Sequence, residues 1–182
     1  MNKNQAQTRK SIRLKKYDYS QSGWYYITIC TQDRECILGN IVNGKMVLNK
    51  QGNIIQNVWQ SLPKHHPVGL DVYQIMPNHL HGMMVITNFH HRRGLIHQTR
   101  DVIHQTRQFG QWMGMINHAP TLGHIIRYFK AKTSRLTNMK LWQRNYYEHI
   151  VRNETELEKI REYITLNPTM WDRDRNNLEK LN

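Results

Sequence analysis

Residues 70–86 constrain the fold more than any other stretch, because they contain two β-strand patterns joined by a very short turn. We predict one strand over residues 70–76, a turn at Pro77-Asn78 and a second strand that continues to about residue 86. Strands with so little chain between them pair antiparallel. The stretch therefore predicts an antiparallel sheet.

The second strand carries two histidines whose side chains share one face. Residues two apart in a strand point to the same side, which puts His79 and His81 together. Leu80, Met84 and Ile86 can then face a core on the other side. Two imidazoles on one face are a ready pair of metal ligands. An isolated pair of this spacing is more often one histidine at a strand end and one in solvent, so the metal hypothesis depends on the rest of the chain.

The charge of the chain predicts a polyanionic partner. The 182 residues carry a formal net charge of +13, and the pI is about 10.0. Between Asp71 and Glu148 the one acidic residue is Asp101, although ten arginines and lysines lie in that interval. Because a protein that is merely soluble intersperses both signs, we favour a nucleic-acid surface. Charge alone leaves ribosomal or membrane-surface binding open.

Composition and length limit the protein class further. Cys30 and Cys36 form neither a disulfide framework nor a zinc motif. No hydrophobic run is long enough to span a bilayer and no signal peptide is present. We therefore expect a cytoplasmic, nucleoid-associated protein with no membrane partner.

The chain is long enough for one domain with a real core. We predict a flexible basic arm at residues 1–16, a single domain at 17–170 and a polar tail at 171–182. Within the domain we predict a loop insert at 87–120, in which Ile-His-Gln-Thr-Arg occurs twice, seven residues apart. A single tandem copy is too short for a coiled coil or a solenoid. The insert is therefore expected to be a tolerant surface loop without a metal role.

Other patterns predict the remaining strands and helices. Aromatic and β-branched residues at 24–31 predict another strand, and an Asn-Gly pair predicts a tight hairpin at 41–48. Apolar residues at helical spacing predict helices at 50–62 and 121–136.

Several basic residues are candidates for contact with DNA phosphates. The helix at 121–136 carries cations away from its apolar stripe, and an aromatic and basic stretch follows at 141–149. Rings interleaved with arginine suit single-stranded nucleic acid, whose bases stack on them. Core packing of Trp142 and a merely disordered arm explain these segments equally well. The candidate DNA-binding residues are Arg13, Lys15, Lys16, Arg127, Lys130, Lys132, Arg135 and Arg144.

A last helix is predicted from Asn153, with Glu156 as in a capping box, to about Asn167, where a proline follows. Tyr163 and Asn167 are four residues apart and share a face. If that face packs across the histidine strand, Asn167 could be an oxygen ligand and Tyr163 would stand next to the metal. The tyrosine could then attack phosphorus, while the metal polarises a phosphodiester oxygen. Spacing alone favours the simpler interpretation, an interfacial tyrosine and a helix-ending asparagine.

Tyr146 and Tyr147 are rival nucleophiles. Neither has a ligand-type residue four positions later in the chain, as Tyr163 has in Asn167. We therefore expect them to stack on DNA or to pack.

These motifs together resemble a known family. His-Leu-His matches the histidine–hydrophobe–histidine motif of the HUH single-strand endonucleases, and the Tyr163-to-Asn167 spacing resembles the tyrosine helix of their single-tyrosine transposases. More specifically, the chain resembles the REP-associated tyrosine transposases over nearly its whole length, apart from the repeat insert and the last residues. The matching blocks are Ile-Arg-Leu at 12–14, Tyr-Asp-Tyr-Ser at 17–20, Ile-Thr-Ile-Cys-Thr at 27–31, Met-Pro-Asn-His-Leu-His-Gly at 76–82, Ile-Arg-Tyr-Phe-Lys at 126–130, Trp-Gln-Arg-Asn-Tyr-Tyr-Glu-His-Ile at 142–150, Arg-Glu-Tyr-Ile at 161–164 and Asn-Pro at 167–168.

The resemblance implies an α+β fold, in which helices flank a central antiparallel sheet of the ferredoxin-like HUH type. It implies a divalent cation, Mg²⁺ or Mn²⁺, and cleavage of single-stranded DNA beside hairpins of repetitive extragenic palindromes. By match, His79 and His81 are metal ligands, Tyr163 is the nucleophile and Asn167 is the third ligand, where related transposases have Gln. The resemblance leaves open whether the protein is a monomer or a homodimer.

Three other functions are compatible with parts of the sequence. A protein that binds such hairpins without cutting them needs the basic surface but no metal. A histidine-triad nucleotide hydrolase needs another histidine at position 83, where the chain has Met83. A relaxase or replication initiator of the HUH class commonly carries further domains, and this chain has no room for a helicase.

Overall fold

A computed structural model describes residues 22–86 and 121–177. The predicted basic arm at 1–16 and the predicted insert at 87–120 lie outside the described residues. The described chain contains a four-stranded antiparallel sheet, a separate hairpin and three α-helices. The predicted α+β class is confirmed.

The histidine strand lies inside the main sheet. The sheet has the order β4-β5-β1-β6, formed by β1 (Gly23–Cys30), β4 (Val68–Met76), β5 (His79–Ile86) and β6 (Tyr147–Val151). The predicted antiparallel pairing across the Pro-Asn turn is confirmed, since Met76 of β4 pairs with His79 of β5. On its other side β5 pairs with β1, so β5 has no free edge.

The small hairpin is made of β2 (Gly39–Val42) and β3 (Lys45–Leu48). Asn43 and Gly44 both have positive φ, at 50° and 70°. This is the conformation that the Asn-Gly pair predicts for a two-residue turn.

The three helices pack on opposite faces of the sheet. The helices α1 (Lys50–Gln60) and α2 (Leu122–Thr137) cover one face, and α3 (Glu154–Leu166) covers the other. Each helix has a side-chain cap: the oxygens of Asn49, Thr121 and Asn153 accept a hydrogen bond from the amide three residues later. No helix within residues 22–86 and 121–177 is both long and apolar enough to cross a lipid bilayer.

The face under α1 and α2 holds the main apolar core. Leu80, Met84 and Ile86 of β5 are fully buried there, as their alternation with the histidines predicts. Gly82 lies on the same face against Trp59 of α1, and a Cβ at position 82 would meet the Trp59 ring at 2.4 Å. The absence of a side chain at Gly82 lets the indole reach the strand.

One part of the aromatic and basic stretch before α3 lies in the core, and another part forms an outer strand of the sheet. Trp142 is buried in the main core, and its indole nitrogen donates a hydrogen bond to the hydroxyl of Thr133. The stretch ends in β6, an outer strand of the main sheet. Trp142 is therefore a core residue.

The segment after α3 differs from the predicted polar tail at 171–182. Pro168 ends the α-helix, but the chain continues as a 3-10 helix, Asn167–Arg173, that folds back onto the sheet. Trp171 is buried with its ring 6.0 Å from that of His79, and Asn176 and Asn177 are buried as well. The compact domain therefore continues past residue 170, because one tryptophan anchors an otherwise polar segment.

Candidate metal and nucleophile site

The face of the sheet under α3 carries a cluster of polar side chains. His79 and His81 come from β5, and Tyr26 and Thr28 come from β1, which pairs with β5 so that Thr28 lies opposite His81. All four are buried. The alternation of both strands puts these four polar residues on this face, where Met83 of β5 also packs against α3.

The two histidines meet through their Nε2 atoms, which are 2.9 Å apart. Burial, together with smaller effects of the positive charges of Arg34 and Arg175, lowers the pKa of His79 to about 3. Burial also lowers the pKa of His81 well below its usual value, and His79 adds to this effect. Both rings are therefore neutral near pH 7, which is the form that binds a metal ion.

Asn78 orients the ring of His79. Its Nδ2 donates hydrogen bonds to the backbone carbonyls of Arg34 and Asn176, at 3.1 Å and 2.7 Å. Because carbonyls only accept, Oδ1 must be the atom that lies 2.7 Å from Nδ1 of His79. The Nδ1 of His79 is then the donor, and its Nε2 carries a lone pair.

Hydroxyl groups orient the ring of His81. The hydroxyls of Tyr26 and Thr28 each lie 2.9 Å from its Nδ1. The Thr28 hydroxyl also donates to the Tyr26 hydroxyl at 3.2 Å. Outer partners of this kind fix which ring nitrogen of a histidine is left for a metal.

An acidic residue that the sequence analysis missed completes the cluster. The carboxylate of Asp174 is almost fully buried, and its Oδ2 lies 3.6 Å from Nε2 of His79. This oxygen has no hydrogen-bond partner among the described residues. The ligand atoms of His79, His81 and Asp174 all lie within 4.8 Å of one another. Asp174 is thus a candidate third ligand.

Asn167, the predicted third ligand, is also brought to this face of the sheet. It lies at the C-terminal end of α3, and its side chain is buried. Its Oδ1 has no hydrogen-bond partner among the described residues. Asn167 hydrogen-bonds to Tyr163, whereas Asp174 is the oxygen donor whose ligand atom lies within 4.8 Å of those of the histidines.

The residues fit a divalent cation. An Nε2 lone pair and an unpaired carboxylate oxygen face each other in a buried space, which costs free energy unless a cation or a proton lies between them. Two ligands at right angles on a cation, with bonds of about 2.1 Å, are about 3.0 Å apart. The Nε2–Nε2 distance of 2.9 Å is close to this value.

Tyr163 stands beside the histidine pair. Its ring centroid is 5.3 Å from that of His81, and 44% of the residue is exposed, so the site opens to solvent at the tyrosine. Burial raises the pKa of Tyr163, and the negative charge of Asp174 raises it further. Arg175 and hydrogen bonds to Asn167 and Tyr26 act in the opposite direction.

The rival tyrosines lie further from the histidines. Tyr147 is exposed to a similar extent as Tyr163, but its ring contacts the edge of Tyr26, 6.0 Å between centroids. Tyr146 packs partly against the main core, with the ammonium of Lys130 over its ring. Of the three tyrosines, Tyr163 has the ring contact with a candidate metal ligand.

The candidate DNA-binding residues within the described chain have no recorded contact with His79 or His81. Arg127 and Arg135 are exposed on α2, which packs on the opposite face of the sheet. Lys132 of the same helix contacts His65 and Tyr128. Arg144 is exposed in the loop before β6, and Arg13, Lys15 and Lys16 lie outside the described residues.

Lys130 has a structural contact that its sequence pattern did not predict. Its ammonium donates hydrogen bonds to the backbone carbonyls of Gln143 and Asn145, both at 2.9 Å. It thereby ties the loop before β6 to α2. The positive charges next to the histidines are instead those of Arg34 and Arg175.

Comparison with known proteins gives relatives at three levels of similarity. An "Uncharacterized protein" of Haemophilus influenzae is 41% identical over 175 residues, which cover 91% of this chain and 91% of that protein. A "Putative REP-associated tyrosine transposase" of the same organism is 23% identical over 151 residues, which cover 83% of this chain and 73% of that protein. A solved REP-associated tyrosine transposase, bound to a REP hairpin, has a TM-score of 0.55 at 14% identity and covers 82% of this chain and 68% of that one. No protein-family model matches the chain.

The chain has a transposase-like α+β fold. The structural similarity at 14% identity establishes the fold, and the distant sequence relative carries the same family name. The chain belongs to one family with the Haemophilus protein of 41% identity, and its resemblance to the REP-associated tyrosine transposases is confirmed.

Proposed function

We propose that the protein is a metal-dependent single-strand DNA endonuclease and transposase in which Tyr163 is the nucleophile. The observation that carries this proposal is the position of Tyr163 against His81, next to a buried set of ligand atoms on one face of the sheet. A tyrosine that only packs at the interface between a helix and the sheet would not require oxygen atoms without hydrogen-bond partners beside it.

The cation is held by His79, His81 and Asp174, with Asn167 as a further oxygen donor. Mg²⁺ or Mn²⁺ suits this mixture of nitrogen and oxygen ligands. When bound, the cation supplies a Lewis acid that polarises a phosphodiester oxygen. Asn78 keeps the lone pair of His79 directed at the cation, because its own amide is held by two backbone carbonyls.

Tyr163 carries out the covalent step. Its phenolic oxygen attacks the phosphorus of a phosphodiester, the bond from phosphorus to the leaving deoxyribose oxygen breaks, and that oxygen takes up a proton. The phosphotyrosine conserves the energy of the broken bond. Attack by a deoxyribose hydroxyl on the same phosphorus restores the tyrosine and joins the strands. The raised pKa of Tyr163 means that its proton must be removed during the attack.

The substrate is single-stranded DNA next to a hairpin of the REP type. The net charge of +13 and the opening of the site at Tyr163 support this choice. The positive charges of Arg34 and Arg175 act on the histidines, and these two arginines are proposed to receive the phosphates near the cleaved bond. The exposed Arg127, Arg135 and Arg144, together with the basic arm, are proposed to contact more distant phosphates.

A covalent-adduct assay tests this function. The full chain is incubated with labelled single-stranded DNA that carries a REP hairpin, with Mn²⁺ or with EDTA, and is run on a denaturing gel. We expect a slowly migrating protein–DNA band that requires Mn²⁺ and disappears in Tyr163→Phe and His79→Ala. A band that survives in Tyr163→Phe would reject Tyr163 as the nucleophile.

A second candidate is a protein that binds such hairpins without cutting them. The solved relative was captured bound to a REP hairpin, and the basic surface of this chain needs no metal to bind DNA. The same assay separates the two functions. A metal-independent shift on a native gel, with no covalent band in Mg²⁺ or Mn²⁺, favours the binding protein.

A further inference from the structure

A stripe of exposed apolar side chains begins at Tyr163 and follows the end of α3. Leu166 and Met170 are 47% and 43% exposed, close to the 44% of Tyr163. The three residues follow one another at intervals of three and four, so they share one side of α3 and of the 3-10 helix that continues it. Large apolar residues of a surface helix normally face the core, as Ile164 does. A contiguous exposed stripe of this kind indicates a binding surface.

The stripe borders the candidate metal and nucleophile site. Asn167, which hydrogen-bonds to Tyr163, lies four residues after Tyr163 and three before Met170, on the same side of the helix. With a rise of about 1.5 Å per residue, the chain from Tyr163 to Met170 spans roughly 11 Å. Nucleotides of a stacked strand repeat about every 3.4 Å, so this length matches about three nucleotides.

A cation extends the stripe. Met170 and Arg173 are three residues apart in the 3-10 helix, where side chains at this spacing eclipse one another. Arg173 is exposed, and so is Arg175, whose positive charge acts on Tyr163. Leucine and methionine are among the apolar side chains that contact unstacked bases, and arginine pairs with phosphate. The surface therefore combines the two kinds of contact that single-stranded nucleic acid needs.

The stripe is on its own too small for a stable interface with a second copy of the chain. Large side chains have surfaces of about 150–250 Å², so three that are less than half exposed offer at most about 350 Å². A specific protein interface buries about 800 Å² on each partner. The area suits a few unpaired bases better than a folded partner.

We propose that Leu166 and Met170 form a base platform, an apolar surface that receives the unpaired bases next to the phosphodiester at Tyr163, with Arg173 on a neighbouring phosphate. This inference rests on the proposed function, which puts the cleaved bond at Tyr163. Stacking and pairing hide the faces of the bases in a duplex, so the base platform selects single-stranded DNA. It determines the kind of substrate, while the histidine pair and Tyr163 carry out the reaction.

A matched pair of double variants tests the base platform by binding alone. The platform variant is Leu166→Gln with Met170→Gln, which replaces the apolar groups by neutral amides. The control is Leu136→Gln with Met139→Gln, because these residues are exposed to a similar extent, 54% and 39%, at the end of α2. Binding of labelled oligo(dT) to the full chain is measured in EDTA by fluorescence anisotropy.

We expect the platform variant to bind oligo(dT) at least about 5-fold more weakly than wild type, the lower limit for the loss of one stacked base. The control should bind as wild type does. Unchanged binding in the platform variant, or equal weakening in the control, overturns the proposal. Both variants should keep the wild-type unfolding midpoint, and the single variant Met170→Gln repeats the comparison if the double variant is unstable.

A strand of the same length without bases separates base contacts from phosphate contacts. Wild type should prefer oligo(dT) to this abasic strand, and the platform variant should lose most of the preference. A wild type without the preference, or a platform variant that keeps it in full, overturns the proposal. The salt slope of the affinity should be equal in wild type and platform variant, because no phosphate contact is removed, whereas Arg173→Ala should lower it by about 1.

These outcomes are distinguishable from those of the covalent-adduct assay. A wild type that forms no adduct rejects the proposed function, and the comparison of oligo(dT) with the abasic strand still decides whether the stripe binds bases. A wild type that forms the adduct, with a platform variant that binds oligo(dT) equally well, rejects the base platform alone. Sedimentation tests the other occupant: a wild-type dimer that the platform substitutions dissociate without loss of DNA binding would assign the stripe to a second copy of the chain.

Discussion

The two faces of the same sheet differ in what their side chains do. On the face under α1 and α2, β5 presents Leu80, Met84 and Ile86, all fully buried among apolar neighbours. On the face under α3, the same strand presents His79 and His81 with their polar partners. Successive residues of one strand thus belong to a structural core and to a candidate reaction site.

The difference shows how the polar face can hold unpaired groups. Lone pairs and a carboxylate oxygen in a buried space destabilise the fold unless something fills the gap. The apolar face, with its large buried side chains, offsets this cost. The polar face is therefore free to be arranged for a cation rather than for stability, as is usual at functional sites.

Tyr163→Phe should have the largest effect of any single substitution on the polar face. It removes the oxygen that we propose to be the nucleophile, so we expect no covalent DNA adduct, measured on a denaturing gel with Mn²⁺. The ring remains and is 44% exposed, so the unfolding midpoint and hairpin binding should be unchanged. Tyr147→Phe is the matched control, with 41% exposure, and should keep full activity. Loss of the adduct in the control alone would make Tyr147 the nucleophile.

Leu80→Ala should break the apolar face. Removing a fully buried leucine side chain costs about 2–5 kcal/mol of unfolding free energy. Urea denaturation measures this loss. Val47→Ala in the exposed hairpin is the control and should change stability by about 0.5 kcal/mol or less. At urea concentrations below the unfolding transition, Leu80→Ala should still bind Mg²⁺, because the side chains of the neighbouring histidines lie on the opposite face of the sheet. Equal losses in the two variants would contradict the division into two faces.

Asp174→Asn should change stability and metal binding in opposite directions. An amide beside the lone pair of His79 can donate where the carboxylate cannot, so the metal-free protein should melt at a higher temperature. Mg²⁺ affinity should fall by at least about 10- to 100-fold, the loss usual even for an outer partner. Thermal unfolding with and without Mg²⁺ measures both quantities.

The controls for Asp174 separate its role from neighbouring candidates. Asp172→Asn, in the 3-10 helix that ends just before Asp174 and exposed to solvent, should change neither stability nor Mg²⁺ affinity. Asn167→Ala should weaken Mg²⁺ binding less than Asp174→Asn, because it removes a neutral oxygen rather than a charged one. The reverse order would restore Asn167 as the principal third ligand.

Acid should destabilise the metal-free protein through its buried histidines. Burial lowers the pKa of His66 to about 4 and that of His79 to about 3, below the usual value of about 6.5. Between these values the unfolded chain binds more protons than the folded one, so stability falls as pH decreases from about 6.5 toward 4. Urea midpoints across this range should show the loss.

Substitution of each buried histidine in turn tests the source of this pH dependence. His66→Gln and His79→Gln should each flatten the dependence between pH 6.5 and 4. His124→Gln is the control, because the ring of His124 contacts that of His66 but His124 is exposed. The stability of this variant should depend on pH more steeply than that of His66→Gln or His79→Gln. An unchanged slope in all three variants would assign the acid sensitivity to other groups.

Most of the sheet and the pairing of His79 with His81 were predictable from local pattern. Period-two alternation determines which face each strand residue occupies, and the Pro-Asn turn leaves β4 no other neighbour than β5. The four-residue spacing of Tyr163 and Asn167 likewise put both on one side of α3. The resemblance then supplied the packing of that side across the histidines.

Asp174 could not be predicted in the same way. It lies in a run of alternating charges after Pro168, with no apolar period to mark it as folded. Its position depends on Trp171, which docks beside His79 and returns the chain to the sheet. A single tryptophan in a polar segment was the available signal, and it needs tertiary structure to be interpreted. The side of the sheet on which the basic residues of α2 lie could not be predicted either, because helical spacing does not tell which side of a sheet a helix covers.

The smallest effects are expected from the cations of the apolar side. Arg175 and Arg127 are both exposed arginines, but the charge of Arg175 reaches the histidines and Tyr163, whereas Arg127 lies on α2 across the sheet. Arg175→Ala should weaken binding of a short single strand and lower its salt slope by about 1, as expected for one lost phosphate contact. Arg127→Ala should change that slope by less. If Arg127→Ala does weaken binding of DNA that carries a full hairpin, the stem of that hairpin extends around the sheet to α2. If Arg127→Ala weakens the short strand more than Arg175→Ala does, the strand crosses the apolar side, and the polar face loses its role as the DNA-binding surface.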